Sequence, residues 1–159
     1  MSVKQAIDSG GFPNSGNISS SSSSALRSNA PQNIQPNALN TLSFLNLLNG
    51  SENINGITHN EGIFTNTSTS TLTVSISYTV GYPINSVGER SARIITSETA
   101  NYIIAYSYVD ANASNSTIMT GSATIILAPS QTFYITLLQT SNVALLLEQN
   151  FATIQIVAF

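Results

Sequence analysis

The chain has 159 residues, enough for one domain with a real core and too few for two. Only 7% of its residues are charged, 42% are hydrophobic, and four Lys and Arg against seven Asp and Glu leave a net charge of -3. A surface of this kind is wetted by hydroxyls and amides; it cannot neutralise a run of phosphates, has no basic patch for anionic lipid, and holds no apolar run near the ~18 residues of a membrane span.

Cysteine is absent, which excludes a disulfide framework and a thiolate metal site. The N-terminal stretch MSVKQAIDSGG lacks the apolar core of a signal peptide, which speaks against classical secretion. Residues 1–37 are dominated by Ser, Gly, Asn, Pro and Gln and include six consecutive serines from Ser19 to Ser24. Their composition buries too little apolar surface to offset ordering, so this segment reads as an irregular, low-complexity arm and residues 38–159 as the folded domain.

At the start of the domain, Leu39, Leu42, Leu45 and Leu48 recur at a spacing of three, with Pro36 and Asn37 before them and Gly50 after. That spacing fits a short helix, and a strand around Ser43 to Leu48 fits equally well. His59 follows in the polar connection NGITHNEG.

From Gly62 onward the pattern is β throughout. In TLTVSISYTV, Leu72, Val74, Ile76, Tyr78 and Val80 alternate with Thr and Ser, as in a strand with one buried and one wet face. The turn GYPINSVGE comes next, then SARIITS, NYIIAYSYVD, STIMTGSATIILA, TFYITLLQT, NVALLLE and FATIQIVAF, joined by short polar turns. Short strands at intervals of about ten residues with hardly a helix signal predict an all-β, two-sheet jelly-roll sandwich.

Several of these strands, TFYITLLQ among them, are apolar on both faces, whereas a two-layer sandwich has one core. The second face therefore reads as a contact with another copy of the chain, in a closed ring of on the order of 2,000 Å² per interface or more. The candidate interface residues are Tyr102, Tyr106, Tyr108, Phe133, Tyr134, Phe151 and Phe159, with Tyr102, Ile104, Tyr106 and Tyr108 sharing one face of their strand. A sharper reading of the same aromatics is a carbohydrate platform. Glu89, Arg90 and Arg93 concentrate half of the basic charge in one stretch; they read as an ordinary solvated pair or as an intersubunit ion pair fixing the register of assembly.

The segment Leu127-Ala-Pro-Ser130-Gln131-Thr-Phe133-Tyr134-Ile135 and the final strand Asn150-Phe151-Ala152-Thr153-Ile154-Gln155-Ile156-Val157-Ala158-Phe159 resemble the tumour necrosis factor and complement globular-head superfamily. Ser-Gln stands where that superfamily often has Gly-Asp, Thr153 where glycine is common, and Asn101 where a glycine precedes the aromatic strand. The segments Tyr78-Thr-Val-Gly-Tyr82-Pro and Gly88-Glu-Arg90 are similar to the leaderless, cysteine-free versions in large DNA viruses of protists. The resemblance covers about Gly62 to Phe159 and implies a homotrimeric jelly roll.

No G-x-S-x-G elbow, phosphate-binding glycine loop or H-E-x-x-H occurs, and a hydrolytic triad has only His59 to use. His59, Glu61 and Glu52 do not make a metal signature, so neither catalytic residues, nor metal, nor cofactor is expected. The five N-x-[ST] sequons, at Asn17, Asn49, Asn66, Asn112 and Asn115, match chance for this composition. The functional expectation is a non-enzymatic homotrimeric structural or surface protein of a virus particle. Its arm would meet other virion proteins, and its three heads a host-surface glycan or receptor. The alternative is a secreted-type trimeric ligand or adhesin, located outside the cell. Nucleic acid and membrane insertion are not among the expected partners.

Overall fold

A computed structural model describes residues 22–27, 31–44, 46–47, 54–97, 102–147 and 152–159. In these the strands are β1 Ser22–Arg27, β2 Gln32–Ile34, β3 Asn40–Thr41, β4 Asn46–Leu47, β5 Ile57–Asn60, β6 Ile63–Asn66 and β7 Leu72–Tyr82. They continue with β8 Glu89–Thr96, β9 Tyr102–Asp110, β10 Thr117–Leu127, β11 Thr132–Gln139, β12 Leu145–Leu147 and β13 Ala152–Ala158. One sheet runs β10-β7-β13-β1-β4, the other β5-β6-β11-β8-β9 with β3 also on β11, and β12 pairs with β2 in a small third sheet. This is the expected all-β jelly-roll sandwich.

The alternation read in TLTVSISYTV sets the first sheet. Leu72, Val74, Ile76, Tyr78 and Val80 point into the core, together with Ile154 and Ile156 of β13 and Ile125 and Leu127 of β10. Against them the second sheet packs Ile57, Phe64, Phe133, Ile135, Leu137, Ala92 and Ile94, all fully buried. The rings of Phe64 and Phe133 stack with centroids 4.7 Å apart and planes at 10°.

Three sequence expectations are corrected here, and one open alternative is decided. First, part of the expected arm is structural: β1 pairs with β13 from Ser22 opposite Ala158 to Arg27 opposite Thr153, and β2 pairs with β12. Strand pairing uses main-chain groups that every non-proline residue carries, so a composition poor in apolar side chains did not reveal it. Residues 1–21 lie outside the described residues.

Second, of the two readings left open for residues 38–48, no helix forms over their described part, and the short strand β4, Asn46–Leu47, falls within the strand alternative. Leu42 and Phe44 are core residues of an extended segment, with the Leu42 amide donating to the Ile135 carbonyl at 2.8 Å, while Leu39 is exposed. Leu45 and Leu48 lie outside the described residues.

Third, His59 sits in a strand rather than a loop: β5 and β6 form a hairpin that places it opposite Phe64. Its turn uses Glu61 at φ 47° and Gly62 at φ 89°, where a side chain on Gly62 would strike the Leu42 carbonyl. Fourth, β9 does not alternate uniformly. A bulge opposite Ile94 and Ile95 sets Ile94 against Ala105 but Ile95 against Ile103, so Ile104 packs on the core and Ile103 is exposed.

Two buried amides pin the connections. Asn66 donates from Nδ2 to the carbonyls of Ser70 and Leu127, each at 2.8 Å, and its main chain bonds both Ser130 and Gln131. Being fully buried, its sequon offers no attachment point in the folded chain. Gln139 donates to the carbonyls of Ile34 at 3.1 Å and Val143 at 2.8 Å and accepts from the Ser141 amide and hydroxyl.

Candidate functional site

The residues expected at a subunit interface separate into several places. Phe133 is fully buried and stacked on Phe64 inside its own chain; it has no surface to give to another subunit, because the inward side of β11 faces the opposite sheet. Arg90 is also withdrawn from any intersubunit pair. It is fully buried, and its guanidinium donates to the carbonyls of Val87 at 3.1 Å and Glu89 at 3.0 Å and to Asn85 Oδ1 at 3.2 Å. The alternating register of β8 turns Arg90 inward over the Tyr82 ring, 5.7 Å from its centroid, and burial lowers its pKa while Tyr82 opposes that shift.

Tyr106 and Tyr108 are exposed on the outward face of the second sheet, with Tyr134 half-buried on the same side. Phe159 is exposed on the first sheet's side, its main chain paired with Thr73. Phe151 and the Tyr102 side chain lie outside the described residues.

Around the two exposed tyrosines the outward face is built in register. Arg93 is opposite Tyr106 and Ser91 opposite Tyr108, with Thr136 and Leu138 on the other flank of β8. The Arg93 guanidinium lies 5.3 Å from the Tyr106 centroid, a cation–π contact. The Tyr108 hydroxyl donates to Asp110 Oδ1 at 3.1 Å; nearby Glu89, then burial, then Asp110 push its pKa up. Ser91 and Thr136 are buried, and their hydroxyls, like Arg93 Nε, have no partner. A cavity of about 20 Å³ lies among Glu89, Ser91, Tyr106, Tyr108, Leu138 and Thr140.

The first sheet presents a different outward face. Ser75, Ser77 and Thr79 of β7 lie between Thr124, Ser122 and Thr120 of β10 and Val157, Gln155 and Thr153 of β13. Of these, Ser77, Thr79, Thr120, Ser122, Thr153 and Gln155 floor an open groove of about 670 Å³. Ile118 and Ile126, the most exposed aliphatics described, stand toward either end of β10 at 65% and 67% exposure. No ionisable side chain occurs at the outward positions of β7, β10 and β13. Sequence reasoning saw only a wet face here; the strict Ser/Thr alternation in β7 and the run TGSAT in β10 were its signal.

For chemistry, the described residues offer little. His59 stacks on Phe64 with centroids 5.7 Å apart, and no group of three His, Cys, Asp or Glu among the described residues comes together to hold a metal. No helix among the described residues is long and apolar enough to cross a membrane.

No protein-family model matches the chain, and neither does any curated protein sequence. Solved structures do. Murine APRIL at pH 5.0 superposes with a TM-score of 0.63 at 7% identity, covering 88% of this chain and 100% of that one. Eiger TNF from S. frugiperda gives 0.61 at 10% identity, covering 87% and 92%. The globular domain of zebrafish complement 1qA gives 0.54 at 11% identity, covering 87% and 95%. The segment behind the resemblance has the geometry it implied: β10 ends at Leu127, the Gln131 amide closes on the Ala128 carbonyl at 3.1 Å with Ser130 at φ 66°, and β11 starts at Thr132. The chain has the jelly-roll fold shared by tumour necrosis factor ligands and complement globular heads.

Proposed function

We propose that the chain is a non-enzymatic recognition head that works as a homotrimer, its copies meeting through the outward face of β10, β7 and β13. The observation that carries this reading is the absence of ionisable groups at the outward positions of those strands, beside the most exposed aliphatics described, Ile118 and Ile126. A face without ions is cheap to desolvate, and its hydroxyls find partners in the hydroxyls of a neighbouring copy. Phe159 falls within this face. Tyr106 and Tyr108 remain outside it, beside Glu89, Arg93 and Asp110, whose charges resist burial. The number three comes from the resemblance, and the gain is avidity: three weak sites on one rigid body.

Light scattering tests the assembly. The purified chain should have the mass of three copies, and Ile126→Arg, which places a charge in the face, should lower it to one; a monomeric parent chain sinks the reading. The finer assignment, a surface component of a virus particle, is supported by the sequence resemblance to the cysteine-free viral versions, with a secreted-type ligand as its rival. Detection of the chain in purified particles decides between the two.

A further inference from the structure

Tyr106 and Tyr108 are the exposed tyrosines among the described residues, at 55% and 49%. Two residues apart on β9, they leave the same side of the sheet about 7 Å from each other. Both are held: Tyr106 by the Arg93 guanidinium, Tyr108 through its hydroxyl by Asp110. Rings fixed in this way lose little freedom when something stacks on them.

Beside the rings is the cavity of about 20 Å³, the size of one water or one hydroxyl group. Ser91, at 3% exposure, has an unpartnered hydroxyl and lines it. A buried hydroxyl without a partner is costly in a native fold and calls for an occupant. Thr140 lines the same cavity, its Oγ1 accepting from the Glu89 amide at 2.8 Å.

We propose that this face binds a neutral saccharide. The C–H face of a pyranose ring stacks on Tyr106 or Tyr108, one hydroxyl enters the cavity to meet Ser91 Oγ, and others donate to the carboxylates of Glu89 and Asp110. Each part answers one feature of a sugar: an apolar ring face, and hydroxyls that need both acceptors and donors. The two carboxylates set the charge of the ligand. They repel a sialylated or sulfated sugar, and the nearest cation, Arg93, is engaged by Tyr106. The inference deepens the recognition-head reading and relies on it to leave this face uncovered.

The test is saturation-transfer NMR on the full chain with the methyl glycosides of glucose, galactose, mannose, fucose and N-acetylglucosamine, and with lactose and 3′-sialyllactose. Light scattering is run on the same samples. At least one neutral glycoside should bind, and sialyllactose no better than lactose. Tyr106→Ala and Tyr108→Ala should each weaken binding about tenfold or more, whereas Tyr108→Phe, which keeps the ring, should stay within about threefold. Ser91→Ala should weaken it about threefold. Binding by none of these glycosides, or binding indifferent to both alanine substitutions, overturns the proposal; so does loss of oligomer mass in those variants, which would make the face a subunit contact. A trimer that binds no glycoside removes the saccharide site and leaves the head, whereas a monomer that binds one removes the trimer and leaves the site.

Discussion

The phenol ring of Tyr78 lies across Gly121, so that a methyl group there would collide with the ring and its hydroxyl. The hydroxyl donates to Ser107 Oγ at 2.9 Å, and Ser107 Oγ in turn donates to the Thr120 carbonyl at 2.9 Å. A glycine in β10 thus lets a side chain of β7 reach β9 in the opposite sheet. Gly121→Ala should destabilise the fold by about 1–3 kcal/mol through overpacking. Urea denaturation measures this, and in a Tyr78→Leu background the penalty should shrink, since the two positions share one space.

Because Phe133 belongs to the subunit's own core, its loss should act on folding rather than on assembly. Phe133→Ala removes half of the stack with Phe64 and should cost about 3–5 kcal/mol. The milder Phe133→Leu should lower the denaturation midpoint and leave the mass of the folded assembly unchanged by light scattering.

Gln139 joins the segment before the domain's first turns to the end of β11. Gln139→Leu keeps the bulk but strands the Ile34 carbonyl and the Ser141 amide, at about 1–3 kcal/mol for each buried group left unpaired. Faster amide exchange in β2 and β12 than in β7 should accompany the loss, since only the former depend on this side chain for their anchorage.

Tyr82 gives the fold an alkaline limit. Burial raises its pKa, with the Arg90 charge opposing and Tyr78 reinforcing the shift, and its hydroxyl points at the Ser91 and Leu138 carbonyls. A phenol whose folded pKa exceeds its unfolded value keeps its proton longer when folded, so its contribution is intact below pH ~10 and declines above it. The expected slope is about 1.4 kcal/mol of stability lost per pH unit beyond that point. Denaturation midpoints between pH 8 and 11 should show the decline, and Tyr82→Phe should flatten it.

The sandwich was legible because its strands follow a simple rule: β7 alternates core and water residue by residue, and turn residues separate the strands after it. What stayed hidden depends on partners distant in sequence. Ser22–Arg27 is a strand because β13 offers it a row of main-chain groups, and no side-chain pattern records that. Ile104 left the face of Tyr106 and Tyr108 through one extra residue at the bulge, which periodicity cannot register. Arg90 read as a surface charge because most arginines are; its inward course follows from the register of β8, with carbonyls of its own loop waiting for it. The tyrosines of the candidate recognition face were legible as aromatics, while the Ser91 cavity beside them was not, because it takes three strands in register to enclose it.

The pairing of Ser22 with Ala158 brings the entry to β1 and the exit from β13 side by side, about 5 Å apart at the main chain. For protein engineering, this makes the sandwich a candidate for circular permutation. A short linker from Phe159 to Ser22 would close the chain into a loop, and new ends could open at the exposed Asn112–Ser116 turn, which joins the edge strands β9 and β10. The same adjacency means that a fluorophore on Phe159 and a quencher at Ser22 would report the integrity of the first sheet directly.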